Sequence, residues 1–359
     1  MKKNKNNNHL TIPNPLSLEL GKDLLPLVGF FKRSDFLKRV SRMRQGITND
    51  LGIEIPKIRI IDNMRLGSSE YCIKIHGVEM GKSIIKLGCC LCINPGTVKK
   101  EVSGEKIKEP AFGTPALWIS KNKWDMAAQF GYTVADHTSI ILTHFSEIIK
   151  QHAAELLDRQ KTQAIIENLR KDYPIVVDEV FTGHDGKNVT LGQLKKILQG
   201  LLKEQVSIRN IVSIMESIAD YQHLNNDTRF FIEMIRQTLS SQLCHQFADK
   251  NRTLNVLTLD NSLEKNIFES KVLNRFGDYY SALEPTLHKA LIKALAISVK
   301  TAKDKGYNPV ILCTDKVRYL MKNSLEREFP GIAVLSISEI ARSYTIKSVG
   351  VISLEQEKM

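Results

Sequence analysis

Gly77-Val78-Glu79-Met80-Gly81-Lys82-Ser83 is the stretch of this sequence nearest to a phosphate-binding loop. Such a loop cradles phosphate with backbone amides and a lysine, and it opens a helix whose N-terminus favours the anion. Here the glycine spacing is one residue short of the required four. A strand pattern precedes the stretch, and Ile84-Ile85-Lys86-Leu87-Gly88 after it reads as another strand, so a hairpin is expected. His137, His144 and His152 lie on or beside one predicted helix. His144 and His152 are about two turns apart, too far to share a metal ion, and no glutamate accompanies them in an HExxH arrangement. His184-Asp185 sits in a glycine-containing loop with no nucleophile at triad spacing. Cys72, Cys89, Cys90, Cys92, Cys244 and Cys313 form no pair of zinc-ligand motifs. Cys90 and Cys92 share one face of a strand pattern and Cys89 faces away, which reads as small buried hydrophobes in a reducing compartment. These residues point to no catalytic group, no metal site and no cofactor.

Two further features concern binding. Lys195, Lys196, Lys203 and Arg209 put positive charge on Thr190–Tyr221, which could be a helix-turn-helix. Its second helix, Ser207–Tyr221, offers only Arg209 to bases and carries Glu216 and Asp220, so helix-helix packing is favoured. Glu109-Pro110-Ala111-Phe112-Gly113-Thr114-Pro115 cannot be a helix interior or a central strand. It must be an ordered turn or exposed loop, with Phe112 either an anchor for a partner or part of a core.

Around these residues the periodicities predict many short elements. Phe36, Val40, Met43 and Ile47 fit an amphipathic helix over Phe31–Asn49, ended by Gly52 and Pro56. Lys57–Ile61, Tyr71–His76, Ile84–Ile93, Ala116–Ile119 and Gly131–Val134 read as strands, Lys121–Phe130 as a helix, and 97–110 as a polar loop. Thr138–Leu169 reads as helix, interrupted by Asp172–Pro174. Thr190 and Gln193 have capping-box spacing; Ser207 is expected to cap the next helix, and Asp227 or Thr228 the one after. Further on, Leu254–Leu259, Val310–Cys313 and Ile332–Ser336 read as strands, with helices at Ser281–Ala302 and Lys316–Phe329. Strand-helix-strand order there implies a parallel pair. Cys313-Thr314-Asp315-Lys316 stands where a nucleotide enzyme would carry a glycine-rich turn.

The 359 residues suffice for two or more compact units. The formal net charge of +12 suits an acidic partner: nucleic acid, an anionic membrane or acidic protein. Nucleic-acid binding would show a steep salt dependence and a need for the lysines near 195–203. No apolar run reaches the roughly 18 residues of a membrane helix. The start, MKKNKNNNHL, lacks the apolar core of a secretory signal and reads as a flexible arm.

Several segments, in this order, resemble the FlhA family of export gate proteins in flagellar and related type III secretion systems. They are Ile60-Ile61-Asp62-Asn63-Met64, Tyr71–Val78, Ile93-Asn94-Pro95-Gly96, Glu109–Gly113, Pro115–Ile119, Gly131–Val134, Thr143-His144-Phe145, Glu155–Gln160 and Val206–Asn210. The resemblance spans about residues 15 to 340, is strongest from 50 to 215, and is nearer to flagellar than to injectisome members. It implies a mixed α/β, multi-subdomain fold: small α+β subdomains, a helical subdomain and a C-terminal α/β subdomain. Residues 1–14 would be a linker, 15–87 with 137–156 the first subdomain, and 88–136 the second, inserted in the first. Residues 157–236 would be the helical third, and 237–359 the last. It implies a non-enzymatic docking platform at the cytoplasmic face of the bacterial inner membrane. Any membrane attachment would come through an N-terminal half not included in this sequence. The implied partners are export chaperone–substrate complexes, the export ATPase complex, other export gate proteins, and further copies in a ring, nonameric in the family. Nucleic acid is not among them. The chaperone-binding residues carried over by motif are Glu109, standing for a family aspartate, with Phe112 and Thr143. Gly21 is carried over as a conformational residue of the ring.

Overall fold

The computed structural model describes residues 13–28, 33–96, 98–183, 188–225, 227–273, 279–329 and 331–354. The arm and His184-Asp185 fall outside them. The chain divides into two compact units. One runs up to Ile165 and adds Ser207–Arg209; the other comprises Ile166–Val206 and Asn210 onward. The fold is mixed α/β with several small sheets.

In the first unit, β1 (Leu16–Leu20) leads to α1 (Arg33–Leu51), β2 (Ile58–Asp62), β3 (Glu70–Ile75) and β4 (Val78–Ile84). The strand order is β2-β1-β3-β4, with β1 and β2 parallel and the rest antiparallel. Inner strand β1 alternates leucine with Ser17 and Glu19, and all five residues are buried. Glu19 is tolerable there because Lys74 Nζ lies 2.8 Å and Asn63 Nδ2 2.6 Å from its carboxylate. Phe36, Val40 and Ile47 face the core from α1.

The phosphate-loop look-alike is indeed a hairpin. Ile75 pairs with Val78 across His76 and Gly77, both of positive φ, the geometry of a two-residue hairpin turn. The second strand contains the Gly-Lys-Ser residues rather than following them. The expected single strand over Ile84–Ile93 is two, because Lys86–Gly88 turns the chain from β4 into β5 (Cys89–Ile93).

A second sheet in this unit is fully antiparallel, in the order β6-β7-β5-β8. It adds β6 (Glu105–Lys108), β7 (Pro115–Ser120), α2 (Trp124–Gln129) and β8 (Thr133–Ala135). Cys90, Cys92, Val102, Ile119, Ala127 and Tyr132 form its core. Strand β6 lies inside the stretch read as loop; it is a polar edge strand, Glu-Lys-Ile-Lys, mostly exposed, and so lacks an apolar pattern. The chain then enters α3 (His137–Gln151), α4 (Ala153–Leu156) and α5 (Arg159–Asp172). What reads as one long helix is thus broken at His152 and at Leu157-Asp158. Asp136 caps α3 by accepting the Ser139 amide at 2.7 Å.

The second unit takes the remainder of α5 and continues with α6 (Pro174–Thr182), α7 (Leu191–Lys203), α8 (Ile211–Tyr221), α9 (Thr228–Thr238) and α10 (Ser240–Phe247). Thr190 and Gln193 form the capping box their spacing predicts, and Asp227 caps α9. Ser207 does not cap α8: its hydroxyl accepts the Arg209 amide, and Asn210 holds the N-cap position. Helices α7 and α8 turn Leu194, Ile197, Leu198 and Ile214, Met215, Ile218 inward.

Beyond them lie β9 (Thr253–Leu259), α11 (Asn261–Glu269), a small hairpin of β10 (Lys271–Leu273) and β11 (Tyr279–Ser281), α12 (Pro285–Asp304), β12 (Val310–Cys313), α13 (Asp315–Leu325), β13 (Val334–Ser336) and β14 (Thr345–Ile352). The sheet β13-β12-β9-β14 is entirely parallel. The expected β12–α13–β13 crossover is therefore present, and β14 completes the sheet beyond β9.

Candidate functional site

The loop between β6 and β7 is a closed structure built by Glu109. The Glu109 amide donates to the Thr114 carbonyl at 2.8 Å, and the Gly113 amide donates to the Glu109 carbonyl at 2.9 Å. The Glu109 carboxylate accepts the Ala111 amide at 2.9 Å and the Phe112 amide at 2.7 Å. Hydrogen bonds to an ionised acceptor contribute about 1.5–3 kcal/mol each, so the loop is held from inside by its own first residue. Glu109 is 4% exposed, while Phe112 at the loop tip is 62% exposed. Phe112 is therefore not a core residue. Pro110 and Pro115 limit the loop's alternatives, so the exposed ring stands on a stiff mount.

Thr143 is exposed on α3, whereas the next residue, His144, is buried. His144 Nδ1 lies 2.8 Å from the hydroxyl of Tyr71, a residue of β3 with no exposure, and the two rings meet edge-on at 5.8 Å. Burial lowers the His144 pKa, which favours the neutral ring. Burial, followed by the charge of Glu109, pushes the Tyr71 hydroxyl well above its ordinary value, so it stays protonated. Ser83 of β4 stands opposite Tyr71 in the strand register. Gly81 of β4 leaves room for this pair: a Cβ there would come within 2.5 Å of Ile148 Cδ1 and 2.9 Å of His144 Nε2. Glu109 and Phe112 thus share one loop, and Tyr71 bonds to His144, the residue beside Thr143. Neither Tyr71 nor Gly81 was singled out for this role by sequence, since their partners lie far along the chain.

Gly21 occupies a close backbone crossing. Its amide donates to the Glu70 carbonyl at 2.8 Å, and a Cβ there would lie 2.1 Å from the Gly67 carbonyl oxygen. A pocket of about 320 Å³ opens among Phe36, Arg39, Cys89, Trp124, Asp136 and His137. Glu109, Phe112 and Thr143 do not line it. Within it, Arg39 holds Asp136 at 2.9 and 3.3 Å and Ser139 at 2.7 Å.

In the second unit, the turn after β12 meets a carboxylate where a nucleotide enzyme would meet phosphate. The Thr314 amide and hydroxyl donate to Glu264 at 3.0 and 3.1 Å, which disfavours an anion there. All six cysteines are free thiols. Among the described residues, no group of three metal-binding side chains is gathered, and no helix is long and apolar enough to cross a membrane.

Residues 1–345 match the FHIPEP family. The flagellar biosynthesis protein FlhA of Treponema pallidum is 42% identical over 346 residues, covering 95% of this chain and 48% of the relative. The chain thus spans about half the length of that relative. Among solved structures, the Chlamydia pneumoniae CdsV protein superposes with a TM-score of 0.85 at 26% identity, over 97% of this chain and 99% of CdsV. The nonameric EscV cytosolic domain from the type III secretion system shares the fold, with a TM-score of 0.74 at 22% identity over 95% and 97% of the two chains. With its length matched almost throughout, and with relatives of this similarity named flagellar biosynthesis protein FlhA, the chain belongs to the FHIPEP family.

Proposed function

We propose that this chain is the cytoplasmic docking platform of a flagellar-type protein export gate. It receives export chaperone–substrate complexes at the Phe112 loop and passes cargo to the export pore without chemistry of its own. The observation that carries this reading is the 62% exposed aromatic ring of Phe112 on a loop already closed by Glu109. A large apolar side chain held in place loses little entropy on binding, and its full burial contributes about 1.5–3 kcal/mol. Thr143, exposed beside the Tyr71–His144 pair, supplies a hydroxyl at the margin. Glu109 acts from within, fixing the loop rather than touching the partner.

The identity of 42% to a flagellar relative, against 26% to CdsV, supports the flagellar assignment over the injectisome. By family likeness, copies of the chain assemble as a ring, nonameric as in EscV, at the cytoplasmic face of the inner membrane, and meet the export ATPase complex there. The four-subdomain division, with its second subdomain inserted in the first, belongs to the same proposal. Calorimetric titration with a flagellin–chaperone complex tests the docking site. Phe112→Ala is expected to abolish measurable binding while leaving the thermal midpoint nearly unchanged, because the ring is not a core residue. Wild-type affinity in that variant would overturn the assignment.

A further inference from the structure

We propose that the outward face of α12 is a docking surface for an acidic helix of a partner protein. This face belongs to the second unit and the Phe112 loop to the first, so neither role depends on the other. α12 is 20 residues long and buries Leu291 and Leu295 in the core around the parallel sheet. Its other side carries Lys289, Lys293, Lys300 and Lys303, all exposed, and a single acid, Asp304. At 3.6 residues per turn the four lysines fall within an arc of about 80°, opposite the core residues. Among the described residues none of the four is ion-paired. The helix dipole accounts for Lys303, in the last turn, but not for Lys289 and Lys293 in the first half.

Beside the lysines runs a second pattern. Ala290, Ala294, Ile297 and Thr301 recur at steps of four, three and four residues, the spacing of a coiled-coil seam. Ala290 and Thr301 are exposed, Ala294 is half-buried, and Ile297 is 57% exposed. Small side chains let a second helix come close, and Ile297 gives it one apolar anchor. In that register Lys293 and Lys300 each directly precede an a position, so they are g residues, whose charge selects the partner in a coiled coil. The complementary occupant is a helix with an apolar seam bordered by glutamates or aspartates. Other anionic surfaces fit less well. A phosphate backbone would cover Ile297 without pairing it, and a membrane interface needs a broad apolar face, which α12 turns to the core.

Fluorescence anisotropy of the full chain with labelled synthetic helical peptides tests this surface. One peptide has a leucine seam bordered by glutamates; the other has the same seam bordered by lysines. The glutamate peptide is expected to bind, more weakly as salt rises, and the lysine peptide is not. Lys293→Glu combined with Lys300→Glu should exchange the two preferences. Ile297→Ala should weaken the glutamate peptide about tenfold through lost apolar burial, with an unchanged thermal midpoint because the side chain is exposed. Duplex DNA and phosphatidylserine vesicles represent the other occupants. Failure of the glutamate peptide to bind, or binding that survives the charge reversal, would overturn the proposal. Tighter binding of duplex or vesicles, lost in the same charge-reversed variant, would overturn it as well.

Discussion

Glu109 and Asp136 show how single carboxylates act in this fold. Each closes local backbone: Glu109 takes the Ala111 and Phe112 amides, and Asp136 takes the Ser139 amide at the start of α3. Asp136 gives the clearer pH signature. Burial raises its pKa, but the Arg39 guanidinium and the Ser139 hydroxyl and amide outweigh this and hold it at about 2. A carboxyl depressed in the folded state stabilises fully above its unfolded value of about 4, and the contribution disappears as pH falls through the folded value. Asp136→Ala should therefore cost about 1 kcal/mol near neutrality, the usual loss of an N-cap. Because the side chain is half exposed, solvent screens the Arg39 pair and adds little. Thermal midpoints of variant and wild type, measured from pH 7 downward, should converge between pH 4 and 2. A gap that persists at the acid end would contradict the assignment. Glu109 also marks what sequence could tell at this scale. Its place before a proline and a glycine announces a turn, but nothing local announces that its carboxylate would be buried and would take the Ala111 and Phe112 amides.

Between elements, the second unit is tied by a buried charge cluster. Arg318 of α13 donates to Glu204, after α7, at 2.7 and 3.3 Å, and to Glu233 of α9 at 2.8 Å. Arg236 of α9 donates to Glu339 at 2.6 and 3.0 Å, to Glu204 at 2.8 Å and to the Val334 carbonyl at 3.2 Å. Arg318 and Glu339 have no solvent exposure. The cluster joins the helical elements to the parallel sheet within that unit. Removing one member leaves unpaired buried charge, which costs about 3–5 kcal/mol. Arg318→Met should lower the unfolding free energy obtained from urea denaturation by that amount, and an added Glu233→Gln should recover part of it; an unchanged free energy would contradict this role. None of these pairings is visible in sequence, since Arg318 lies 85 and 114 positions from its partners. What was legible at this scale is what is local. Val310–Cys313 stands where its apolar run placed it, and the Thr190–Gln193 capping box follows from spacing alone. Strand β1 escaped notice although Leu-Ser-Leu-Glu-Leu alternates, because a glutamate argues against burial until Lys74 is seen beside it. Strand β14 and β6 are polar or exposed along much of their length, and only pairing with distant strands makes them strands.

At the scale of the whole molecule, the mixed architecture and the family were legible because the resemblance rests on many short segments in order. The net charge of +12 by itself pointed equally to nucleic acid. The central claim is narrower than family membership: Phe112 is the residue that an arriving export chaperone covers. The most direct measurement is site-specific photo-crosslinking, with a benzophenone side chain replacing Phe112 and, in a control, replacing Ile175 of α6, which is 81% exposed. A flagellin–chaperone complex should be captured through the chaperone from position 112 and not from position 175. Capture from position 175 alone, or equally from both, would contradict the account.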